Sequence, residues 1–412
     1  MKVAIVTQYY APEAIRIPDT LARQLRSRGH EVRVITGYPN YPDGVLFPGY
    51  VIGANRNELI DGVQVRRVAL IVSHSYNPVL RTLNYLTFAW GAAFARGWVR
   101  AADIVYVYAT QMTPAIGPSI WRPIFRMPYV MHIQDLWPES VTGSTMIRRR
   151  FLKRVVDGLL RPWLGYLYRT SSAIVAIAPS MKRMLLERGV PEDKVSTVLN
   201  WSATEASVSR RAASVRDDTV TIVYAGNLGD HQALDNVIEA ANLVKHIKNL
   251  RIVIVGSGVA EERLRALVKS LDAYNVIFKG RVPPEQMGEI HAQSDFELVS
   301  LRDLDIFDGT IPSKFQASLF HGIPVITTVR GDVMDLVRAN GLGFACEPED
   351  PVGLANAFAE AAQMPADGRA VMGKSAKAFY ERSMSVQRGV DQIEKVLVAA
   401  ARSPRRQAKS WY

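Results

Sequence analysis

The stretch PYVMHIQDLWPES, residues 128–140, joins an apolar run to a dense set of polar and aromatic residues. The run YVMHI is typical of a buried strand in a parallel sheet, and the residues from Asp135 onward are expected to form the loop beyond its carboxyl end. Ligands of open α/β sheets bind at such ends. A loop of this kind needs only a helix cap, whereas this one carries two acids, an indole and a proline. The stretch therefore predicts a functional site at Asp135, with a scaffolding loop as the alternative.

Apolar runs of strand length alternate, on both sides of this stretch, with longer segments of helical periodicity. In the first half the runs are VAIVTQ, EVRVITG, VQVRRVAL, DIVYVY and YVMHI. After residue 218 the alternation begins again with VTIVYAG, LRIVIVG, NVIFKG, FELVSL, PVITTV and GLGFACE. Strand, helix and strand in repetition indicate a parallel sheet covered by helices on both faces. The sequence thus predicts an α/β protein with two Rossmann-like domains.

The length of 412 residues also favours two domains, because single cores rarely grow beyond about 250–300 residues. The segment ATEASVSRRAASVRDD is polar, rich in small residues and without an apolar stripe. We therefore expect an N-terminal domain over 1–200, a linker over 201–218 and a C-terminal domain over 219–383. Residues 384–412 are predicted to form a helix that returns to the N-terminal domain, followed by a basic tail.

The cysteine content and the apolar runs restrict the cellular compartments in which we expect the protein. The single cysteine, Cys346, excludes an intrachain disulfide framework and a multi-cysteine metal site, and it fits a reducing cytosol. The chain starts with Met1-Lys2 directly before a strand-like run, so a secretory signal is not expected. The run YLTFAWGAAFA, from Tyr85, is ended by Arg96 before it is long enough to span a bilayer. We expect a cytoplasmic protein that lies peripherally at the inner face of the cell membrane.

The chain carries an excess of positive charge, with 50 Lys and Arg against 39 Asp and Glu and a net charge of +11. Such an excess indicates an anionic partner. Residues 146–169 interleave basic with apolar and aromatic side chains, which is typical of a segment that lies on an anionic membrane. A solvated helix face has the same periodicity and is the alternative. Nucleic acid is not expected as a partner, because no recognisable binding module is present.

Three segments of the second half are suited to phosphate binding. In YAGNLGD, three small residues lie between a strand and a helix, where backbone amides can hold anionic oxygens: Gly226, Asn227 and Gly229. Ordinary turn geometry explains these residues equally well, and it is the preferred explanation for IVGSG at 254–258. In DGTIPSKFQ, from residue 308, two hydroxyls and a cation stand at the start of a helix: Thr310, Ser313 and Lys314. An ordinary helix capped by Ser313 is the alternative there.

Taken in order, HIQDLWPES, YAGNLG, the pair Gly280-Arg281, and IPSK followed by HGIPVI resemble the GT-B fold family 4 glycosyltransferases. The branch that builds bacterial O-antigens, capsules and exopolysaccharides is the most similar. The resemblance covers nearly the whole chain, including the opening QYYAPE and the segment GHEVRVITGYPNYPDG. It implies two Rossmann-like domains that face each other across a cleft.

This resemblance implies a retaining, metal-independent transfer of a hexosyl or N-acetylhexosaminyl group, without a cofactor, from a nucleotide sugar that is usually UDP-linked. The acceptor, expected to be a lipid-linked oligosaccharide, would be held by the first domain. Asp135 corresponds to a position near the reacting sugar and Arg281 to one that contacts the nucleobase. Asn227 and Lys314 correspond to positions that bind the diphosphate, and Lys314 would stabilise the leaving group. The donor site would also include Gly226, Gly229, Asp308, Thr310 and Ser313. Residues assigned to the acceptor or the membrane are Glu13, Glu139, Arg148, Arg149 and Arg150.

One feature of the family is missing from this sequence. Many members carry a Glu-x7-Glu pair whose second carboxylate binds the ribose, and the two positions fall on Gly309 and Ala317 here. Asp308 and Gln316 are neighbours of these positions, but a shift of one residue on a helix turns a side chain by about 100°. A non-catalytic nucleotide-sugar-binding relative or partner subunit is therefore the alternative function. A nucleotide-sugar epimerase or a phosphorylase is disfavoured, because neither the GxGxxG of a dinucleotide fold nor a pyridoxal-binding lysine motif is apparent.

Overall fold

The computed structural model describes residues 1–54, 56–73, 77–139, 150–202, 219–283, 286–304, 307 and 309–402. Its contacts divide the chain into two compact units, one comprising Met1–Ala203 with Val386–Tyr412 and the other Thr204–Ser385. Each unit contains one sheet with helices around it, and the predicted fold class of two α/β domains is confirmed.

The first unit is built on an eight-stranded sheet of order β3-β4-β2-β1-β5-β6-β7-β8. All neighbouring pairs are parallel except β3 with β4. Strands β2 and β5 lie on opposite sides of β1, so the order of the strands reverses there. The carboxyl ends of β1 and β5 therefore form a topological switch point. The strands are β1 Lys2–Thr7, β2 Glu31–Gly37, β3 Asn57–Ile60, β4 Val63–Val68, β5 Ile104–Ala109, β6 Tyr129–Ile133, β7 Ala173–Ala176 and β8 Val195–Thr197.

Helices cover both faces of this sheet, as its nearly continuous apolar strands require. They are α1 Ile17–Ser27, α2 Pro78–Phe94, α3 Arg96–Val99, α4 Ile116–Phe125, α5 Arg150–Thr170 and α6 Pro179–Glu187, with single 3-10 turns at Thr113–Ala115 and Glu192–Lys194. The run from Tyr85 that approaches membrane-spanning length in sequence forms most of α2. No helix in the described ranges is both long and apolar enough to cross a membrane.

The second unit has a six-stranded sheet of order β11-β10-β9-β12-β13-β14, in which every pair is parallel. Its first strand, β9, lies between β10 and β12, so the switch point is at the carboxyl ends of β9 and β12. The strands are β9 Val220–Ala225, β10 Leu250–Val255, β11 Val276–Gly280, β12 Phe296–Val299, β13 Val325–Thr327 and β14 Gly343–Ala345. The helices are α7 Leu234–Leu243, α8 Glu261–Leu271, α9 Met287–Gln293, α10 Ser313–Phe320, α11 Asp332–Asn340, α12 Pro351–Gln363 and α13 Ala366–Ser383, preceded by a 3-10 turn at Asp230–Gln232.

The last described helix, α14 at Val386–Arg402, belongs to the first unit. Its buried residues Val390, Ile393 and Leu397 share a core cluster with residues of β1, β2 and β5. Trp201 lies in the same cluster, and a Cβ at Gly389 would collide with its ring. Trp201 and Ser202, which the sequence places in the linker, are both buried. The predicted linker therefore starts too early, because the indole of Trp201 completes the core of the first unit. Residues 203–218 lie outside the described residues.

Two short strands were not expected from the sequence. The strand β3 has four residues, alternates between exposed and half-buried, and pairs antiparallel at the sheet edge. The strand β7 also has four residues, AIVA, and follows directly on a long helix. Both are too short to give a periodic signal.

Candidate functional site

Polar side chains gather at the switch point of the first sheet. Gln8 follows β1 and Gln111 follows β5, and both are buried. The Nε2 of Gln8 donates to Oδ1 of Asn84 on α2 at 2.6 Å, and the Nε2 of Gln111 donates to Oε1 of Gln8. The Nδ2 of Asn84 donates to the carbonyl oxygen of Ile71 at 2.7 Å. Because each amide is held by another, the network fixes α2 against the carboxyl ends of two strands.

Asp135 lies beside this network, just beyond β6. Its neighbour Gln134 is buried and accepts a hydrogen bond from Nδ2 of Asn200 at 2.7 Å. Exclusion of water by the surrounding protein raises the pKa of the Asp135 carboxyl to about 6, and the positive charge of Arg81 opposes the shift. The side chain keeps a solvent-exposed side, which weakens this effect of burial. Asp135 is therefore a carboxyl group at the edge of the sheet that is open to a ligand.

Helix α2 supplies two further polar groups to this edge, Arg81 from its first turn and Tyr85 from its second. Arg81 donates from Nε to the hydroxyl oxygen of Tyr85 at 2.7 Å. The charges of Arg81 and Asp135 influence each other's pKa, which places them close together. Neither residue could be assigned to the site from the sequence, because Arg81 precedes an apolar run, Tyr85 is the first residue of that run, and neither belongs to a motif. Only the topology brings them to the carboxyl end of β6.

The remainder of the loop after Asp135 has a scaffolding role. Arg188, which follows α6, donates from Nη1 to the carbonyl oxygen of Trp137 and from Nη2 to Oε2 of Glu139, both at 2.6 Å. The ring of Trp137 meets that of Trp163 edge-on, with centroids 6.4 Å apart. The carboxylate of Glu139 thus already has a partner. Of the two acids in the loop, only Asp135 keeps the position expected of a site residue.

Two other polar residues of the first unit are enclosed. Glu13 is fully buried, and its carboxylate accepts hydrogen bonds from three backbone amides, those of Tyr10, Asn40 and Tyr41. Burial raises the pKa of Glu13, while these three bonds oppose the rise. His132 is also fully buried, and burial lowers its pKa to about 3. In this structure Glu13 therefore connects two loops of the protein instead of facing an acceptor, and His132 is a neutral core residue.

In the second unit, two glycine loops interlock at the carboxyl ends of β9 and β10. The amide of Gly226 donates to the carbonyl oxygen of Val255 at 2.9 Å, and that of Leu228 donates to Ser257 at 3.0 Å. A Cβ at Gly256, which has φ +136°, would collide with the carbonyl of Gly226, and one at Gly258 would collide with that of Leu228. The loop at 254–258 thus supports the loop that begins at Gly226.

Because the loops interlock, two of the backbone amides that the sequence offers for anion binding already have partners within the protein. The amide of Gly226 is used by the neighbouring loop, and the amide of Gly229 donates to Oε1 of Gln232 at 3.1 Å. Asn227 is exposed at the tip, and its carbonyl oxygen accepts from the Tyr224 hydroxyl at 2.6 Å. The helix expected directly after this loop begins only at Leu234, after a 3-10 turn. Gly226 and Gly229 therefore shape the loop, and Asn227 is the residue it presents to solvent.

Lys314, in the first turn of α10, reaches over this loop. Its Nζ lies 3.7 Å from the centroid of the Tyr224 ring and also contacts the Tyr224 hydroxyl. Gly226 has φ +147°, a conformation that L side chains rarely adopt, and a Cβ there would displace the end of the Lys314 side chain. Burial lowers the pKa of Lys314 to about 7, and the negative charge of Glu297 opposes the shift. The structure thus brings together Lys314 and the loop at Gly226, as the sequence predicts.

The other predicted donor residues lie around the same edge. Arg281 is exposed directly after β11, and the carbonyl of the preceding Gly280 accepts from the amide of Gly256 at 2.8 Å. Thr310 is half-buried, and Ser313 is exposed as the first residue of α10. The N-cap is Pro312, so the alternative in which Ser313 caps this helix is wrong. Asp308 lies outside the described residues, as do Arg148 and Arg149; Arg150 begins α5, and its side chain is not described.

Two Rossmann-like α/β units, each with polar groups at the switch point of its sheet, define the architecture of the GT-B glycosyltransferases. Two family models match the chain one after the other: glycosyl transferase 4-like domain over residues 17–201 and glycosyl transferases group 1 over residues 207–379. Together they span nearly all of both units. The chain belongs to this family of glycosyltransferases.

Full-length relatives are similar at low identity. The colanic acid biosynthesis glycosyl transferase WcaI of Escherichia coli (strain K12) is 26% identical over 384 residues, which cover 89% of this chain and 93% of the relative. The glycosyltransferase MJ1607 of Methanocaldococcus jannaschii is 27% identical over 376 residues, 86% of this chain and 87% of the relative.

Solved structures share the fold. HepE of Anabaena in complex with UDP and glucose has a TM-score of 0.67 at 15% identity, covering 97% of this chain and 100% of HepE. WaaG, a glycosyltransferase involved in lipopolysaccharide biosynthesis, has a TM-score of 0.63 at 14% identity, covering 96% of this chain and 99% of WaaG. These likenesses support the fold.

Proposed function

We propose that this glycosyltransferase moves a hexosyl or N-acetylhexosaminyl group from a UDP-sugar to a lipid-linked oligosaccharide in the synthesis of a bacterial surface polysaccharide, with retention of configuration. The observation that carries the donor half of this proposal is the position of Lys314, whose amine lies over the Gly226 loop at the carboxyl edge of the second sheet. The name of WcaI supports the polysaccharide, and the UDP complexes of HepE support a uridine nucleotide.

The chemistry requires that negative charge be stabilised as the sugar leaves. When the bond from the anomeric carbon to the diphosphate breaks, the sugar becomes oxocarbenium-like and its electron pair stays on the phosphate oxygen. In this proposal Lys314 and the positive end of α10 stabilise that charge and no divalent metal is needed; the position of Lys314 in the first turn of α10 supports it. The departing phosphate then accepts the proton of the acceptor hydroxyl on the same face, so the configuration is retained without an enzyme nucleophile.

On the acceptor side we assign Asp135 a role near the reacting hydroxyl. A carboxylate at this position is suited to accept a hydrogen bond from the acceptor hydroxyl and so orient it, while the departing phosphate takes the proton. Arg81, the neighbouring cation, is suited to hold an anionic group of the acceptor, such as the diphosphate of a lipid carrier. Trp137 and Glu139 keep the loop in place through their contacts with Arg188.

Attachment to a membrane is proposed from the surface of α2. Its exposed apolar residues recur at helical spacing and form a stripe: Val79, Leu83, Leu86, Trp90 and Phe94. The adjacent α4 exposes Ile124 and Phe125, and the Arg96 guanidinium lies 3.3 Å from the centroid of the Phe125 ring. Apolar and aromatic residues next to arginine are suited to the interface of an anionic bilayer. A lipid-linked acceptor would then be available close to Arg81, in the first turn of the same helix.

The proposal is tested by a transfer assay with purified protein. UDP-glucose, UDP-galactose and UDP-N-acetylglucosamine are offered with a polyprenyl diphosphate oligosaccharide, with and without EDTA, and the anomeric configuration of the product is read by NMR. We expect transfer from one donor, retention, and no effect of EDTA. UDP binding without transfer or donor hydrolysis would support the non-catalytic alternative, whereas inversion or inhibition by EDTA would contradict the mechanism.

A further inference from the structure

A single arginine joins the two segments that meet at the switch point of the second sheet. Arg302 follows β12, and the Gly226 loop, residues 226–233 between β9 and α7, lies beside it. The backbone amide of Arg302 donates to the carbonyl oxygen of His231 at 2.9 Å, and its Nε donates to the carbonyl oxygen of Asp230 at 2.8 Å. The backbone and the side chain of one residue thus hold two successive carbonyl groups of the Gly226 loop.

The other two nitrogens of this guanidinium are also bonded to the protein. Nη2 donates to Oδ2 of Asp235, in the first turn of α7, at 2.8 Å, and Nη1 donates to Oε1 of Glu349, after β14, at 2.7 Å. Arg263 on α8 lies beside the same acids, with Nη2 3.4 Å from Oδ1 of Asp230 and Nη1 3.7 Å from Oδ2 of Asp235. A planar guanidinium directed at three separate acceptors has a fixed orientation, which an ammonium group does not have. The Gly226 loop is therefore bonded to a group whose own position is fixed.

The segment in which Arg302 lies connects β12 to α10, whose first turn carries Lys314. A second contact joins this segment to the Gly226 loop, because the ring of Phe307 meets that of His231 edge-on with centroids 5.8 Å apart. Partly exposed ion pairs contribute little to stability, so the main effect of the bonds of Arg302 is on geometry. One polar and one aromatic contact thus fix the Gly226 loop relative to the segment that leads to Lys314.

We propose that Arg302 is a positioning residue for the nucleotide-sugar donor, which holds the Gly226 loop where Asn227 and Lys314 contact one diphosphate together. The proposal rests on the donor roles given above to these two residues. Asn227 is exposed at the tip of the loop, three residues before Asp230, so a displacement of the loop at Asp230 moves the side chain that the donor meets. Each guanidinium nitrogen of Arg302 is bonded to the protein, so Arg302 acts through the loop and not as a contact of the diphosphate.

The test is calorimetric titration of UDP into Arg302→Met, which keeps an unbranched apolar stem and removes the guanidinium. UDP affinity should fall about three- to tenfold, the effect of one ordinary hydrogen bond. In the transfer assay the KM for the UDP-sugar should rise and the KM for the acceptor should stay unchanged. Arg338→Met, which removes an exposed guanidinium bonded to the Ala345 carbonyl and to Glu347, is the matched control and should bind UDP like wild type. Equal UDP affinities of wild type and a folded Arg302→Met would overturn the proposal.

Two further variants separate position from charge and from stability. Arg302→Lys keeps the charge but cannot reach all three acceptors, so its UDP affinity should fall like that of Arg302→Met. Wild-type affinity in Arg302→Lys would assign the effect to charge and overturn the proposal. Glu349→Gln removes an ion pair of the same guanidinium but no bond to the Gly226 loop, and it should bind UDP like wild type. An equal loss of affinity in Glu349→Gln would also overturn the proposal. If Arg302→Met does not fold, the comparison of Arg302→Lys with Glu349→Gln still tests it.

A measurement without ligand distinguishes this inference from the proposed function. Hydrogen exchange followed by mass spectrometry reports local opening of the Gly226 loop, in which the amide of Leu228 donates to the Ser257 carbonyl. Exchange in the loop should be faster in Arg302→Met than in wild type, and unchanged in Glu349→Gln. If exchange behaves in this way but wild type binds no UDP, the donor assignment fails and the hold of Arg302 on the loop stands. If wild type binds UDP and exchange is the same in Arg302→Met, the positioning role fails and the donor assignment stands.

Discussion

The surrounding protein moves the pKa values of two ionisable side chains of this glycosyltransferase towards neutrality from opposite sides, although Asp135 keeps a solvent-exposed side that weakens its shift. The pKa of Asp135 is raised to about 6 and that of Lys314 is lowered to about 7, each chiefly because protein atoms replace water. Each has a partner that opposes the shift, Arg81 for the carboxyl and Glu297 for the amine. Shifts of this kind with specific partners are more frequent at functional sites than elsewhere.

Lys314→Ala should weaken UDP binding by about 1.5–3 kcal/mol, the range for hydrogen bonds to charged groups. Calorimetry at pH 6, where the amine is protonated, gives the largest difference. Lys269→Ala removes an exposed lysine from the same unit and should leave the affinity unchanged. Equal affinities of wild type and a folded Lys314→Ala would exclude Lys314 from the donor site.

Asp135→Asn should reduce turnover at least about tenfold, because the neutral amide orients the acceptor hydroxyl less well, with little effect on UDP binding. Because the carboxylate form prevails above its pKa, wild-type kcat/KM should rise with pH through about 6, and the variant should lack this rise. Asp193→Asn, at an exposed position of the same unit, is the control. Normal turnover of Asp135→Asn would reduce Asp135 to a part of the scaffold.

The sequence predicts residues of the site only where local pattern and position agree. Asp135 follows a strand-like run and Lys314 stands at the start of a helix, each within a short motif. The fold places both at the carboxyl edge of a sheet. Arg81 and Arg302 could not be predicted, because one precedes an apolar run, the other follows one, and neither belongs to a motif. Their roles depend on which strands become neighbours, and no local pattern contains that information.

At the level of elements, most strands coincide with apolar runs of the sequence, including the three-residue β13 and β14, which lie within PVITTV and GLGFACE. The short edge strand β3 and the four-residue β7 were missed, because tertiary pairing determines them. The sequence predicts Gly256 as a turn residue, whereas Gly226 is assigned to the donor site with turn geometry as an equal alternative. The interlocking of the two loops could not be predicted, because the collision that a Cβ would cause involves a residue of another loop.

Gly256→Ala should destabilise the second unit and weaken UDP binding together. The added Cβ collides with the Gly226 carbonyl and the residue has φ +136°; overpacking and backbone strain each cost about 1–3 kcal/mol. Thermal unfolding and calorimetry are the measurements. Gly158→Ala, in α5 with open space around it, is the matched control and should be neutral or slightly stabilising. Unchanged stability of Gly256→Ala would contradict the interlocked loops.

The stripe of exposed apolar residues on α2, from Val79 to Phe94, predicts that the protein attaches to anionic vesicles. Trp90→Ser combined with Phe94→Ser should reduce co-sedimentation with phosphatidylglycerol vesicles, and so should Arg148, Arg149 and Arg150 changed together to serine. High salt should weaken binding of the wild type, because each basic residue near the surface contributes about 1 kcal/mol through charge.

Two exposed valines of the second unit provide the control for this experiment. Val352→Ser combined with Val371→Ser also replaces two exposed apolar side chains, although smaller ones, and should leave vesicle binding unchanged. Binding that ignores salt and both sets of changes would leave the stripe without a lipid partner. A wild-type dimer in the absence of vesicles, lost with Trp90 and Phe94, would assign the stripe to self-association instead.

At the scale of the whole molecule, a cluster of charges joins α14 to the rest of the first unit. Arg28 donates from Nη1 to Oε2 of Glu394 at 2.6 Å and lies 2.7 Å from Oδ1 of Asp391. The other oxygen of Glu394 contacts Nε2 of His30 at 2.7 Å. The hydrogen bond with His30 and the bond and charge of Arg28 hold the pKa of Glu394 below its usual value.

Glu394→Gln should lower the stability of the first unit by about 1 kcal/mol at pH 7, the upper end for partly exposed ion pairs. Because the folded-state pKa is depressed, this stabilisation is fully present above about 4.5 and is lost as the pH falls through the folded value. Thermal unfolding should show this difference between variant and wild type at pH 7 and a smaller one at pH 3. Glu192→Gln removes an exposed partner of Lys182 and should leave stability unchanged at both pH values. A difference of the same size at both pH values would contradict this electrostatic origin.

The position of α14 also has a consequence for synthesis of the chain. Val390, Ile393, Leu397 and Ala400 of α14 complete a core whose other buried members precede residue 203, so the emerging first unit leaves the ribosome with an open apolar groove. At about 5–20 residues per second, the ribosome needs about 10–40 s to reach α14 after residue 203. During that interval the second unit can fold while the groove around Trp201 stays accessible to chaperones. A nascent chain that stops before Val386 would keep this groove open, and cellular quality control would have a means to distinguish it from a finished one.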